Sequence, residues 1–520
     1  MFKKIFALLL SGMMAVMVFG SSILANEPDK GNSATLAANA LLEVNGITMV
    51  KKGSIQPSAT NGTVKGATYN GQTNTLTLNN YQGIGINTDY MGTDFKIVAE
   101  GTNTINGTSN RTGAGIYIGN GDVAISGDGT TYVNGVQGEL PNITGFFANN
   151  INFTSGQMYV TVKGVANKSV IGVKAGNMES KDVVVSGGLL SIKCNDVANV
   201  EESIGLVAGN LTVSRAGVLK AHSASLQKGD SSSIGIACVG SINLLDSAFV
   251  EAIGGNSGTE LMGDSIGLLL SEKMMLNAHA TLIAKGGYAL KSKGIYSVGE
   301  VELKALEQQG QLPSSEVAKV VQDGLYYQSG ILITQADKRS KSALATSSKV
   351  RVVDSNLDFS WRDKANGLFV KNSLKPYSAS ELGAYSEIRS YYSVNFENNN
   401  NGLSLLNDDI LIGEDYRYQL TTISDDYTLP ETIKVSVNGK ELTEGYTYNP
   451  ATGVLIIDSD YIDGNIVISA TAVAKNNNKK EVTPSNTPAT GDNSNLMLWL
   501  LLMAGSAILL ERKGQFNKRK

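Results

Sequence analysis

Between Leu76 and Leu303 apolar residues recur in short pairs separated by one polar position, and each pair follows a glycine set beside an apolar residue. The glycines are Gly85, Gly115, Gly145, Gly172, Gly205, Gly235, Gly267 and Gly294, at intervals of 27 to 33 residues. The pairs are Phe95/Ile97, Val123/Ile125, Ile151/Phe153, Val183/Val185, Leu211/Val213, Ile242/Leu244, Met274/Leu276 and Val301/Leu303. A third alternating stretch follows most pairs, as in Met158/Val160/Val162, Leu190/Ile192 and Ala280/Leu282/Ala284. Period-two alternation puts each set on one face of a strand. Three short strands and three Gly/Asn/Ser turns per repeat leave no room for helices. One such unit cannot bury its apolar face alone, whereas stacked units form a continuous core. The pattern predicts an all-β chain built on a right-handed parallel β-helix of about eight to nine coils, each of about 30 residues. A β-sandwich array shows the same alternation and stays open as the alternative. Leucine-rich repeats are excluded, because their leucine spacing and Asn/Cys position are missing.

The flanks read differently. A cap is expected over Leu41–Tyr81, which has its own alternation in Thr75-Leu76-Thr77-Leu78. After Gly294 the period loosens. Ser314–Asp323 begins like a capped helix and reads as an insertion. Gly330-Ile331-Leu332-Ile333, Val350/Val352 and Leu357/Phe359/Trp361 are expected to form a ninth, interrupted coil, and 362–397 a cap or connector. Beyond the Asn398–Asn401 run, strands at Tyr416/Tyr418/Leu420, Ile433/Val435/Val437, Val454–Ile457 and Ile466–Ile468 surround an Asn438-Gly439 hairpin signal. These 80 or so residues predict a small immunoglobulin-like β-sandwich over 398–474. The polar stretch 475–486 reads as a tether. The remaining divisions are 1–25, a leader; 26–81, N-terminal segment and cap; 82–361, the β-helix; and 487–520, a terminal signal.

Composition narrows the function classes. The 520 residues carry 43 Lys and Arg against 47 Asp and Glu, with no basic stripe, so nucleic-acid binding is excluded as an expectation. Two cysteines, Cys194 and Cys238, are too few for a disulfide framework; buried free thiols are expected, with a Cys194–Cys238 bridge as the alternative.

The termini carry the most specific pattern. Lys3 and Lys4 precede an apolar run from Ile5 to Phe19, and small residues lead to Ala25. This is the layout of a secretory signal peptide, with cleavage expected between Ala25 and Asn26. At the other end, Thr487-Pro488-Ala489-Thr490-Gly491 precedes an apolar run from Leu496 to Leu510 and a basic tail ending Lys518-Arg519-Lys520. Basic residues stay on the cytoplasmic side, and 15 apolar residues are short of the roughly 20 that a stable span needs. The arrangement resembles the cell-wall sorting signal of Gram-positive surface proteins, with Thr487 where that family has leucine. The resemblance implies transient membrane residence, cleavage by a sortase between Thr490 and Gly491, and covalent attachment of Thr490 to peptidoglycan. A short C-terminal membrane anchor is the alternative. The expected location is the outer cell surface.

A second resemblance concerns the coils. Leu76-Thr77-Leu78-Asn79-Asn80, Glu100-Gly101-Thr102-Asn103-Thr104-Ile105 and Gly121-Asp122-Val123-Ala124-Ile125-Ser126-Gly127-Asp128-Gly129 resemble wall-anchored β-helix proteins of Clostridia-type bacteria, some of which carry a carbohydrate-binding assignment. Asp426–Pro430 and Tyr448–Gly453 resemble the bacterial Ig-like module that follows such helices.

The search for chemistry favours binding over catalysis. β-Helix polysaccharide lyases and hydrolases use clustered carboxylates, often with Ca²⁺. Here Asp122, Asp182 and Asp246 sit beside strands at different offsets, and His222 and His279 fall in third strands of separate coils, as structural residues. No nucleophile–His pair, metal-ligand set or cofactor motif is present, and a polysaccharide-degrading enzyme remains the alternative class. A parallel sheet offers a flat face on which Tyr, Asn and Thr stack. The candidate ligand face is Tyr81, Tyr90, Tyr117, Tyr132 and Tyr159, with a polysaccharide or host glycan as partner. The competing reading is a passive spacer, in which these tyrosines are simply β-formers.

Overall fold

A computed structural model describes residues 39–475 except 53, 56–62, 108–113, 136–138, 164, 177–179, 196–199, 228–230, 258–262, 277–278, 290, 298–324, 328–330, 337–343, 346–349, 353–358, 363–369, 373–384 and 398–401. The expected leader, tether and terminal signal, including Ala25, Asn26 and Thr487 to Gly491, lie outside these residues. Among the described residues the chain is all-β, a parallel solenoid of about six turns with almost no helix. One turn shows the plan. Ser232–Cys238 lies in sheet one, Ile242–Leu244 in sheet two and Phe249–Ile253 in sheet three. The next turn repeats it with Asp264–Leu270, Met274–Leu276 and Thr281–Lys285, each paired in parallel with its predecessor. Parallel pairing along the stack rules out the antiparallel sandwich array.

The alternating pairs point inward, and register turns them into rows. Ile97, Ile125, Phe153, Val185, Val213, Leu244 and Leu276 occupy one row of sheet two, all at 2% exposure or less. Facing them, Ile116, Phe146, Val173, Leu206, Ile236, Leu268 and Ile295 form a row of sheet one in the same core cluster. Each fully buried side chain of this size contributes about 1.5–3 kcal/mol. The strands Glu202–Ala208, Ser232–Cys238 and Asp264–Leu270 are buried on both faces, so Ile204 is covered yet stands outside the inner cluster.

The recurrent glycines have a steric cause. A Cβ on Gly172, Gly205, Gly235 or Gly267 would come within 2.5, 2.5, 2.6 and 2.7 Å of the carbonyl oxygen of the glycine one coil further on. On the Gly235 side it would also meet the backbone of Ile253 at 2.5 Å. Sheet one here lies directly against sheet three, whose inward residues shrink from Ile192 to Ala221, Ala252 and Ala284. Only glycine fits that contact.

The ends differ from the middle. Leu41–Val44 and Ile47–Lys51 form a hairpin that pairs antiparallel with Ile86–Asp89, and the antiparallel hairpin of Ala67–Asn70 with Thr75–Asn79 joins sheet two through the parallel pairing of Thr75–Asn79 with Lys96–Glu100. Antiparallel strands thus cover the first edges of sheets one and two, while sheet three begins at Gln82–Ile84, paired in parallel with Thr102–Asn106. At the other end, the expected pair Val301/Leu303 falls outside the described residues. The strand that continues sheet two after Met274–Leu276 is Leu325–Tyr327, and the 314–323 stretch read as an insertion also lies outside the described residues. Phe359–Arg362 does not extend the parallel stack as expected for a ninth coil. It pairs antiparallel with Tyr385–Phe396, which also pairs antiparallel with Ile331–Gln335 and so ends the parallel part of sheet three.

Tyr385–Phe396 then continues into a second β unit, pairing with Asp408–Leu411 and Ile466–Ser469. That unit has its own core, including Val394, Tyr416, Val435, Leu455, Ile457 and Ile466, and Ile331 of the solenoid packs against it. The Asn438-Gly439 turn has φ of 51° and 77°, the two positive values that a tight hairpin turn of this kind requires. His279 Nδ1 lies 2.7 Å from the Tyr392 hydroxyl, a direct polar link between solenoid and second unit.

Candidate functional site

The five candidate tyrosines do not share one face. Tyr81 is fully buried at the corner before Gln82–Ile84; its hydroxyl donates to the Ile84 carbonyl (2.6 Å) and its N–H to Asn103 Oδ1 (2.9 Å). Burial pushes its phenol up to about 12. It is a core residue, which corrects its place in the expected ligand face. Tyr90 occupies a turn position with φ of 52°. Tyr117 lies on the outer side of sheet one, stacked on Phe147 with ring centroids 5.1 Å apart. Only Tyr132 and Tyr159 come together on the outside of sheet three.

There the register Thr104, Tyr132, Tyr159, Ser191, Lys220 and Glu251 makes one outward row. The two rings stack at 5.3 Å and 16°, and Tyr132 is 42% exposed. A parallel row beside it carries Asn106, Asn134 and Thr161, and Asn134 Nδ2 donates to Asn106 Oδ1 at 2.9 Å. The row on the other side carries Thr102, Thr130 and Gln157; the Tyr159 hydroxyl donates to Gln157 Oε1 at 3.1 Å. The face is therefore flat, built on paired strands, and composed of aromatic rings flanked by hydroxyls and amides. Further along, the same face turns charged. Lys220 Nζ sits 5.7 Å above the Phe249 ring, and His222 Nε2 lies 2.8 Å from Glu251 Oε1.

The carboxylates are more regular than the sequence reading had them. Asp122, Asn150, Asp182, Asn210 and Ser241 occupy the same corner on successive coils. Asn150 donates its N–H and Nδ2 to Asp122 Oδ1 (3.1 and 2.9 Å), and Asp182 N–H donates to Asn150 Oδ1 (2.9 Å). Asn210 repeats the contact on Asp182, and Ser241 N–H donates to Asn210 Oδ1. Alternating Asp with Asn separates the charges by two coils, so this is a capped structural ladder. Asp246 lies at another turn, accepting from Arg215 N–H at 3.0 Å. Among the described residues no three His, Cys, Asp or Glu converge as a metal site. Both cysteines are free and buried, with thiols pushed up to about 12 by burial. One buried acid stands apart: Glu202, on sheet one, is raised to about 7 by burial, against the opposing charge of Lys174.

No family model, no curated protein and no solved structure matches this chain. Among the described residues no helix is long and apolar enough to cross a membrane.

Proposed function

We propose that this chain is a non-catalytic surface protein that binds a polysaccharide along the outer face of sheet three. The carrying observation is the stacked Tyr132–Tyr159 pair, set on adjacent coils and flanked by Asn and Thr rows. Rings of this kind suit the apolar faces of sugars, while amides and hydroxyls suit their hydroxyl groups. A rigid strand platform needs little ordering on binding, and repeated weak contacts along a polymer add up. In this reading the sequence signals at the termini export the chain and link Thr490 to peptidoglycan through a sortase. The stack is a right-handed helix of eight to nine coils, and the second unit is an Ig-like module that holds it away from the wall. A glycan array probed with the secreted protein tests the binding claim: retention of at least one polysaccharide, lost on Tyr132→Ala and Tyr159→Ala together, is expected. No retention would make the solenoid a stalk. Release of new reducing ends from a bound glycan would make it an enzyme. Mass spectrometry of wall-released protein is expected to end at Thr490; recovery of Lys520 would refute wall attachment.

A further inference from the structure

The outward row of sheet three does not continue as aromatic after Tyr159. The next coil places Ser191 in register with Tyr159 and Leu189 in register with Gln157. The coil after that places Lys220 in register with Ser191, and Lys193 stands two residues along from Ser191 on the same face. Tyr132 covers one side of the Tyr159 ring. The other side therefore faces a position occupied by a small hydroxyl. Two coil spacings, about 10 Å, separate the backbone under Tyr159 from that under Lys220. The result is a step in the face with an aromatic wall, a floor of Ser191 and Leu189, and an ammonium at the far side.

The charges around the step are positive. Lys193 is exposed, and Lys220 Nζ lies 5.7 Å from the ring of Phe249, which stands on the next coil. The nearest carboxylate in the row, Glu251, is taken by His222 at 2.8 Å. A neutral sugar would use the ring and the hydroxyl and leave both lysines idle. A pyranose carrying an anionic group would use all of them, with its ring against Tyr159 and its charge toward Lys220 and Lys193.

We propose that the step between Tyr159 and Lys220 is an acidic-sugar subsite, so that the polysaccharide bound on this face bears anionic pyranose units. This deepens the carbohydrate-binding reading above and rests on it. The test uses the full secreted chain in affinity electrophoresis against dextran, dextran sulfate, polygalacturonate, methyl-esterified polygalacturonate and, as a polyanion without sugar rings, polyglutamate. Retention by polygalacturonate or dextran sulfate is expected at least fivefold above its neutral counterpart, and which of the two is preferred separates carboxylate from sulfate. K193Q and K220Q are each expected to weaken that retention severalfold and to leave neutral-glycan binding alone. Tyr159→Ala is expected to remove binding to both kinds, with Tyr159→Phe retaining it. Because these positions lie on the outer face, circular dichroism should be unchanged in every variant. Equal retention of charged and neutral polymers, or no effect of either lysine change, would overturn the acidic subsite while preserving carbohydrate binding. Equal retention by polyglutamate would also overturn it, since charge alone would then suffice. Retention of no polysaccharide at all would overturn the carbohydrate reading itself.

Discussion

A single methyl group placed on the glycine row tests the architecture most directly. In Gly235→Ala the new Cβ would lie 2.5 Å from Ile253 N, 2.6 Å from Gly267 O and 2.9 Å from Ala252 C. All three are backbone atoms, and the first two sit in strands locked by parallel pairing on both sides. Ordinary contact needs close to 3.5 Å, so sheet one and sheet three must separate by most of an ångström along several coils. Overpacking of side chains costs about 1–3 kcal/mol, and here no rotamer can absorb the strain, so about 3 kcal/mol is expected. That corresponds to a fall in melting temperature of about 6–12 °C for a unit of this size.

Gly85→Ala is the internal control. Its Cβ would meet nothing nearer than Gly115 O at 3.8 Å, and its backbone is not in the left-handed region. The same chemical change is therefore expected to be neutral or to stabilise by up to about 1 kcal/mol, through the unfolded chain. Side-by-side thermal melts of the secreted protein, followed by far-ultraviolet circular dichroism, decide the matter. Equal melting temperatures for Gly235→Ala and wild type would refute the close approach of the two sheets. Equal damage from both substitutions would show that glycine is needed for some reason other than the contact.

Other consequences follow from the corners and the buried groups. Asn150→Ala removes the two side-chain hydrogen bonds that join three successive coils, and a loss of about 2 kcal/mol is expected in urea unfolding, with Asn150→Asp also destabilising because it places three carboxylates in a row. Glu202 binds its proton more tightly folded than unfolded, so its contribution to stability is present at low pH and is lost as pH rises from the ordinary carboxylate range through about 7. Melts between pH 4 and 8 should therefore show a steeper decline in wild type than in Glu202→Gln, and parallel curves would contradict the burial. Cys194 and Cys238 are expected to resist iodoacetamide in the native protein and to react only in denaturant; rapid native labelling, counted by mass spectrometry, would place either thiol outside the core.

Much of the solenoid was legible because its core rows are periodic in two senses at once. The pair Val183/Val185 alternates within its strand, and Val213 and Leu244 repeat that position one and two coils later. The glycines were legible for the same reason, though their cause was not. The contact between sheets one and three depends on Ala221 and Ala252, residues that carry no signal of their own. What failed to show was the position of residues between the markers. The connection from glycine to pair is six residues long after Gly205 and eleven after Gly172, so counting from the glycine scattered Asp122 and Asp182 to different offsets. Counting back from the inward pair would have aligned them. Asp122, Asn150, Asp182, Asn210 and Ser241 each immediately precede Val123, Ile151, Val183, Leu211 and Ile242.

The same indexing separates a ligand face from a set of β-forming residues. Tyr132 and Tyr159 each precede the inward valines Val133 and Val160, which puts both rings outside on sheet three, one coil apart. Tyr117 follows Ile116 in sheet one and meets Phe147, while Tyr81 stands before its strand and turns into the core. Tyrosine density over the first coils was thus a weak guide, since three sheets and two faces divide those residues among unrelated surroundings. Register is the stronger one. It assigns Ser191 and Lys220 to the row that holds Tyr132 and Tyr159, and neither residue would draw notice in the sequence. A face on a solenoid is a column read across coils. Its chemistry is fixed by which residue each coil contributes, and here the column passes from ring to hydroxyl and then to ammonium within four coils.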